Sequence, residues 1–273
     1  GIGVASNAFN LTAFIQQQFE VASKLHALQV AVIVFGVLAA ILMLITVLAI
    51  DEKKYSNSVP SSVPLKQALG QTLKNKNFLL FVVADFSYFL SVTLITSGLM
   101  YFVTVLLGLK EEIGNTLMIT MVLVSFLFYP VTNWAANKIG KKKVVLISQF
   151  LLAGIFFGIY MLGKFPVSPA VQIYSLIALA AIPLASLNIL PNAILADVID
   201  KDSEETGQNK EGIYFAVRYF FVKLAQTLGL ALFSMFLLYG KDPGNDFGVR
   251  LNGLLGCGLC LLAGFIFSRF KET

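Results

Sequence analysis

Charge is scarce in this sequence. Only 13% of its 273 residues are Asp, Glu, Lys or Arg, about half the share usual in a soluble domain, while 57% are hydrophobic and the mean hydropathy is +0.80. That balance excludes an ordinary soluble fold. There is a single histidine, His26, and there are two cysteines. Cys257 and Cys260 form a CxxC spacing in an apolar run, with no second pair and no histidine near it, so they read as small packing residues and not as a metal or redox site. The chain has no His/Glu zinc motif, no Gly-x-Ser-x-Gly elbow and no phosphate-binding loop, the usual signatures of intramembrane hydrolases and nucleotide enzymes; it reads as no enzyme. The net charge of +5 does not indicate nucleic acid, because the lysines sit in short segments between apolar runs and form no basic stripe. No Met begins the chain and no charged n-region precedes an apolar one, so Gly1 reads as an internal or processed start.

What the sequence has in quantity is long apolar runs. Seven helices are expected at about 30–50, 78–107, 113–136, 144–162, 171–198, 213–239 and 249–267, each long enough at 1.5 Å per residue to cross about 30 Å of hydrocarbon. Residues 1–28, with Gln16, Gln17, Gln18, Glu20, Lys24 and His26, are too polar to span and read as the outer end of an earlier helix plus a loop holding His26. Lysines and arginines gather in alternate connections: Lys53, Lys54, Lys66, Lys74 and Lys76; Lys138, Lys141, Lys142 and Lys143; Lys201 and Lys210; Arg269 and Lys271. These connections are expected to face the cytoplasm. The longest, 51–77, holds the run SNSVPSSVP and is expected to be a flexible connector, with 65–73 forming a short amphipathic helix on the inner surface. Gly154 and Gly158, and Gly256, Cys260 and Gly264, are expected at close helix contacts.

A few charges lie where they are costly. Asp85, Arg218 and Lys223 fall inside apolar runs, and an ionised group at bilayer depth costs roughly 2.5–3.5 kcal/mol on insertion scales, so such residues usually face a cavity. Lys223 lies near mid-span, with Tyr219 and Gln226 at helical spacings of four and three, a polar stripe suited to a hydroxyl-rich substrate. Asp85, on a face with Tyr88 and Phe89, either pairs with Lys223 or titrates during transport, or else serves only as partner to an interhelix base. Arg218, two turns into its run, either snorkels to the inner interface or joins a gate. Asp197 and Asp200, three apart at an expected helix end, are set against a carboxyl-terminal dipole and need cationic partners.

Leu195–Val217, LADVIDKDSEETGQNKEGIYFAV, resembles the connection between the tenth and eleventh helices of the glycoside-pentoside-hexuronide cation symporters, a branch of the major facilitator superfamily that includes the melibiose carriers. The likeness rests on Leu-Ala-Asp-Val-x-Asp, then Thr-Gly, then Glu-Gly-Ile-Tyr-Phe. Two further stretches agree: LKNKNFLLF at 73–81, like the entry to the family's seventh helix, and NKIGKKKV at 137–144, like its basic turn after the eighth. One departure is Asn209, where members commonly carry a base; Lys210 follows it.

The resemblance implies an all-α membrane protein, a partial major facilitator superfamily bundle running from the end of the fifth helix through the twelfth: 1–50 the end of the N-terminal bundle, 51–77 the central cytoplasmic loop, 78–273 the C-terminal six-helix bundle. It implies a multi-pass protein of the inner (plasma) membrane, working with its remaining N-terminal helices as a cation-coupled symporter of sugars or glycosides. Sodium or a proton would be the coupling cation. The family's cation site is built largely from N-terminal carboxylates, so no metal ligand is assigned here. Lys223, Tyr219, Gln226, Asp85 and Tyr88 are expected at the substrate, the lysine having a family counterpart. Asp197, Asp200, Lys210, Arg218, Lys141 and Lys142 are expected at a cytoplasmic gate. A carrier of lysophospholipids or other amphiphiles is the alternative within the same broader family, and a non-transporting membrane scaffold the alternative outside it.

Overall fold

The computed structural model describes residues 24–49 and 64–272 and divides into two units, 1–60 and 61–273. The first contributes one described helix, α1 (Lys24–Ala49), whose composition is apolar on every side. His26 falls within this helix and not in a loop. Residues 1–23 and the SNSVPSSVP connector, apart from Pro64, lie outside the described residues, so the readings made on them stand as expectations.

The second unit holds α2 (Leu65–Lys74), α3 (Lys76–Tyr101), α4 (Glu111–Ile139), α5 (Lys141–Tyr160), α6 (Pro169–Thr206), α7 (Glu211–Leu237) and α8 (Phe247–Ser268). All seven membrane-length helices expected from the apolar runs are present, α1 and α3–α8. Local sequence explains their ends. Asn75 caps α3, its side-chain oxygen accepting from the Phe78 amide at 3.1 Å, and Glu111 and Glu112 lie in the first turn of α4, where the helix dipole favours acids. Gly140, at φ +91°, ends α4 and starts α5 with no residue to spare. The last turn of α3 widens into a π-helical stretch, Phe102–Leu106.

One boundary differs from expectation. α6 does not stop near Val198 but runs 38 residues to Thr206, about 57 Å at 1.5 Å per residue. That exceeds an apolar layer of about 30 Å, so its last turns, DKDSEET, form a helical post standing clear of the apolar part of the bundle. The segment read as a charged loop is therefore mostly helix. Gly207 ends it, at φ +66° with its amide donating to the Ser203 carbonyl at 2.8 Å, a left-handed cap that glycine adopts without strain.

Helix order around the unit is α7, α3, α8, α5, α6, α4, each packed on the next, with α4 also touching α5 and with α2 against α3 and α7. Glycines on α8 set its closest approaches. A side chain at Gly253 would lie 2.9 Å from the Tyr160 amide nitrogen and 3.0 Å from the Phe156 carbonyl oxygen on α5. One at Gly256 would enter the Phe156 ring, and one at Gly248 would strike the carbonyl oxygens of Phe236 and Gly240. On α5 the paired expectation splits: Gly158 packs against Leu176, whereas Gly154 faces open space.

Candidate functional site: buried pair, charged post and open face

The Asp85–Arg218 pair lies between α3 and α7. Arg218 Nε donates to Asp85 Oδ2 at 2.8 Å and Nη2 to Oδ1 at 3.4 Å, a two-pronged contact for which the planar guanidinium is suited. Nη1 donates to Asn192 Oδ1 on α6, and the guanidinium carbon lies 5.4 Å from the centre of the Phe81 ring. Both charged side chains are almost fully covered, at 5% and 3% exposure. Asp85 also borders a small void beside Tyr88, Gln149 and Pro191, in which Gln149 Oε1 has no hydrogen-bond partner. Of the two alternatives open for Asp85, partnership with an interhelix base is the one found, while the pairing with Lys223 and the outward reach of Arg218 are corrected. Asp85 pairs with Arg218, not Lys223, and Arg218 neither snorkels outward nor reaches Asp197 or Asp200. The cause is helical phase: residues 218 and 223 are about 140° apart around α7 at 100° per residue. Arg218 lies with buried Tyr214, Val222, Ala225 and Gly229, the face that packs on α3.

The charged post of α6 is tied to its neighbours by two lysines. Lys141, opening α5, reaches both oxygens of Asp197 at 2.8 and 2.6 Å, each side chain about one-third exposed. Lys210, just before α7, is buried and reaches Asp202 Oδ2 at 2.8 Å and Gln71 Oε1 on α2 at 3.3 Å. Beside it, Asn75 donates to the Tyr214 hydroxyl at 3.1 Å. Asp200 is exposed and, like Lys142, forms no ion pair among the described residues; Lys142 is held through its backbone amide, which donates to Glu272 Oε1 at 3.1 Å. Of the two acids singled out in the sequence, only Asp197 is paired, and Asp202 takes the part expected of Asp200. The reason lies in the helical extension: Asp202, not Asp200, stands opposite the buried lysine that follows the Gly207 turn. Asp202, Gln71, Asn75, Tyr214 and Asn192 were all missed, each being one polar residue among many until the helices are placed.

The open face of α7 carries the third group. Lys223 is exposed, its ammonium donating to Gln226 Oε1 at 3.3 Å, and Tyr219 is 52% exposed one turn away. Phe220, Leu224 and Leu228 are exposed around them. Lys223 stands twelve residues beyond Glu211 in a 27-residue helix, about 18 Å along some 40 Å. The five residues expected at the substrate thus fall into two sets: Lys223, Tyr219 and Gln226 on the open face, Asp85 and Tyr88 within the bundle.

Against known proteins, the family described as MFS/sugar transport protein matches residues 1–242. A protein named as an uncharacterised symporter from Synechocystis is 26% identical over 74% of this chain and 36% of its own length. The sodium-dependent lysophosphatidylcholine symporter 1-A of Danio rerio is 24% identical over 89% of this chain and 43% of its own. The isoprimeverose transporter of Lactiplantibacillus pentosus is 21% identical over 82% and 46%. The chain therefore spans less than half the length of these curated relatives. With seven membrane-length helices and no strand among its described residues, and with a match across most of its length, this chain is a multi-pass membrane protein that belongs to the MFS/sugar transport protein family.

Proposed function

We propose that the chain is part of a secondary active transporter that moves a sugar or glycoside by cation-coupled symport, with sodium or a proton as the coupling ion. The carrying observation is Lys223: a lysine near mid-span, exposed on the bundle and hydrogen-bonded to an uncharged partner. Facing lipid, its ammonium would cost roughly 2.5–3.5 kcal/mol, so the face it occupies with Tyr219 and Gln226 borders a polar cavity. The second wall of that cavity is a companion helix bundle, and transport requires both. In this reading Lys141–Asp197 and Lys210–Asp202 close the cytoplasmic side and separate as access alternates, while Asp85–Arg218 holds α3 and α7 together through the cycle. The symporter names among the relatives support the class.

The second reading is an amphiphile carrier. It is favoured by the exposed Phe220, Leu224 and Leu228 beside Lys223, and by the relative named for lysophosphatidylcholine. Proteoliposomes holding the full-length protein decide between the two. Uptake of a labelled glycoside under an imposed sodium or proton gradient, abolished by Lys223→Leu, is the expected result. Gradient-driven uptake of lysophosphatidylcholine with none of glycoside moves the assignment to the second reading. Glycoside uptake that Lys223→Leu leaves unchanged removes this lysine from the mechanism.

A further inference from the structure

At the end of the unit where α3 begins and where α6 and α8 finish, a cleft of about 420 Å³ is lined by Lys76 and Asn77 of α3, Lys201 and Glu205 of α6, and Arg269 and Lys271 just beyond α8. Its four bases are exposed, and none forms an ion pair among the described residues. Asp202 also borders the cleft, but its carboxylate is engaged by Lys210. That leaves four cations against Glu205 alone. The arrangement is built and not a chance meeting of loose side chains. Asn77 Nδ2 donates to the Lys271 carbonyl at 2.8 Å, and the Lys271 amide donates back to Asn77 Oδ1 at 2.9 Å. Between Arg269 and Lys271, Phe270 is buried and stacked on Phe267 with ring centres 4.9 Å apart.

We infer that this cleft binds the phosphate of an anionic phospholipid in the leaflet at that end of the bundle. Four unpaired bases gathered in one place repel one another, and a phosphate relieves that repulsion while accepting several charge-assisted hydrogen bonds. The membrane is the source because of the cleft's level. Its walls include Leu80 and Val198, the point on α3 and α6 where the apolar spans meet the charged end. At that level α3 exposes Leu79, and toward the middle of the bundle it exposes Val83 while α8 exposes Leu262 and Phe265, apolar surface along which acyl chains can lie. Basic pockets between membrane helices at such a level are suited to phospholipid headgroups.

Native mass spectrometry of the full-length protein, with phosphatidylglycerol, phosphatidylcholine or inorganic phosphate added, tests this. Retention of phosphatidylglycerol over phosphatidylcholine is expected. The triple variant Lys76→Gln/Arg269→Gln/Lys271→Gln should bind phosphatidylglycerol at least about tenfold more weakly. A triple variant of equal charge change at the other end, Lys110→Gln/Lys164→Gln/Lys241→Gln, should bind as the parent does. Equal retention of both lipids, equal loss in the two variants, or inorganic phosphate displacing phosphatidylglycerol at equal concentration overturns the assignment. Melting temperatures of both variants are measured alongside; all six side chains lie on the surface, and parent-like melting is expected.

Discussion

Arg218 and Lys223 are two bases five residues apart on one helix, and the fold treats them oppositely. Arg218 is enclosed, gripped by Asp85 and Asn192 and covered by Phe81; Lys223 is left open with only a glutamine amide for company. A buried, paired charge contributes to holding two helices in register, and its loss leaves the opposite charge stranded. An open charge contributes nothing to the bundle, so its presence at mid-span needs another reason. Intramembrane charge is therefore two signals, separated by which face of α7 carries it.

The sharpest way to break the contrast is Arg218→Leu, which strands Asp85 and should destabilise the protein by about 3–5 kcal/mol. Thermal unfolding in detergent reads it, and adding Asp85→Leu should restore most of the loss; a double variant as unstable as the single would show that the pair is not coupled. Next comes Lys210→Gln, which removes a buried cation bonded to Asp202 and Gln71 and should cost about 1–3 kcal/mol in the same measurement. Lys141→Ala, at a contact one-third exposed, should cost only about 0.2–1 kcal/mol. In the full-length protein Asp197→Asn should nonetheless alter the reactivity of cavity cysteines toward an impermeant thiol reagent, and more so than Asp200→Asn. Equal effects of the two would place the post's function outside its ion pairs. Smallest of all is Lys223→Leu, expected to leave the melting temperature unchanged or raised, because an apolar side chain on that face is easier to insert. A loss comparable with that of Arg218→Leu would erase the distinction between the two faces.

Much of this was legible in the chain. Hydropathy located every membrane-length helix among the described residues, since about twenty consecutive, mostly apolar residues have few other uses, and the Leu195–Val217 motif carried the family. Other features depend on quantities a one-dimensional pattern does not hold. α6 outran its apolar stretch because nothing in DKDSEET breaks a helix before Gly207, while its density of charge reads as loop. Which base would partner Asp85 was not decided by the chain, because α3 is apolar on most sides and the polar residues of α7 do not say which face of that helix packs inward; only the packing of α7 on α3 brings Arg218 to Asp85. Asp202 rather than Asp200 met Lys210 for the same kind of reason, a two-residue difference that turns a side chain through about 200°.

The glycines of α8 bear on how such a unit can move. Where Gly253 lets α8 lie against the backbone of α5, Gly256 takes in the Phe156 ring, and Gly248 seats α8 on the end of α7, the helices are meshed like gear teeth. Screwing α8 along α5 by one residue, a 1.5 Å rise with a turn of about 100°, would drive Leu254 or Cys257 into the space that now admits only hydrogen. Of all the helix pairs in this unit, α8 with α5 is then the one least able to slide, and the two are expected to move as one block.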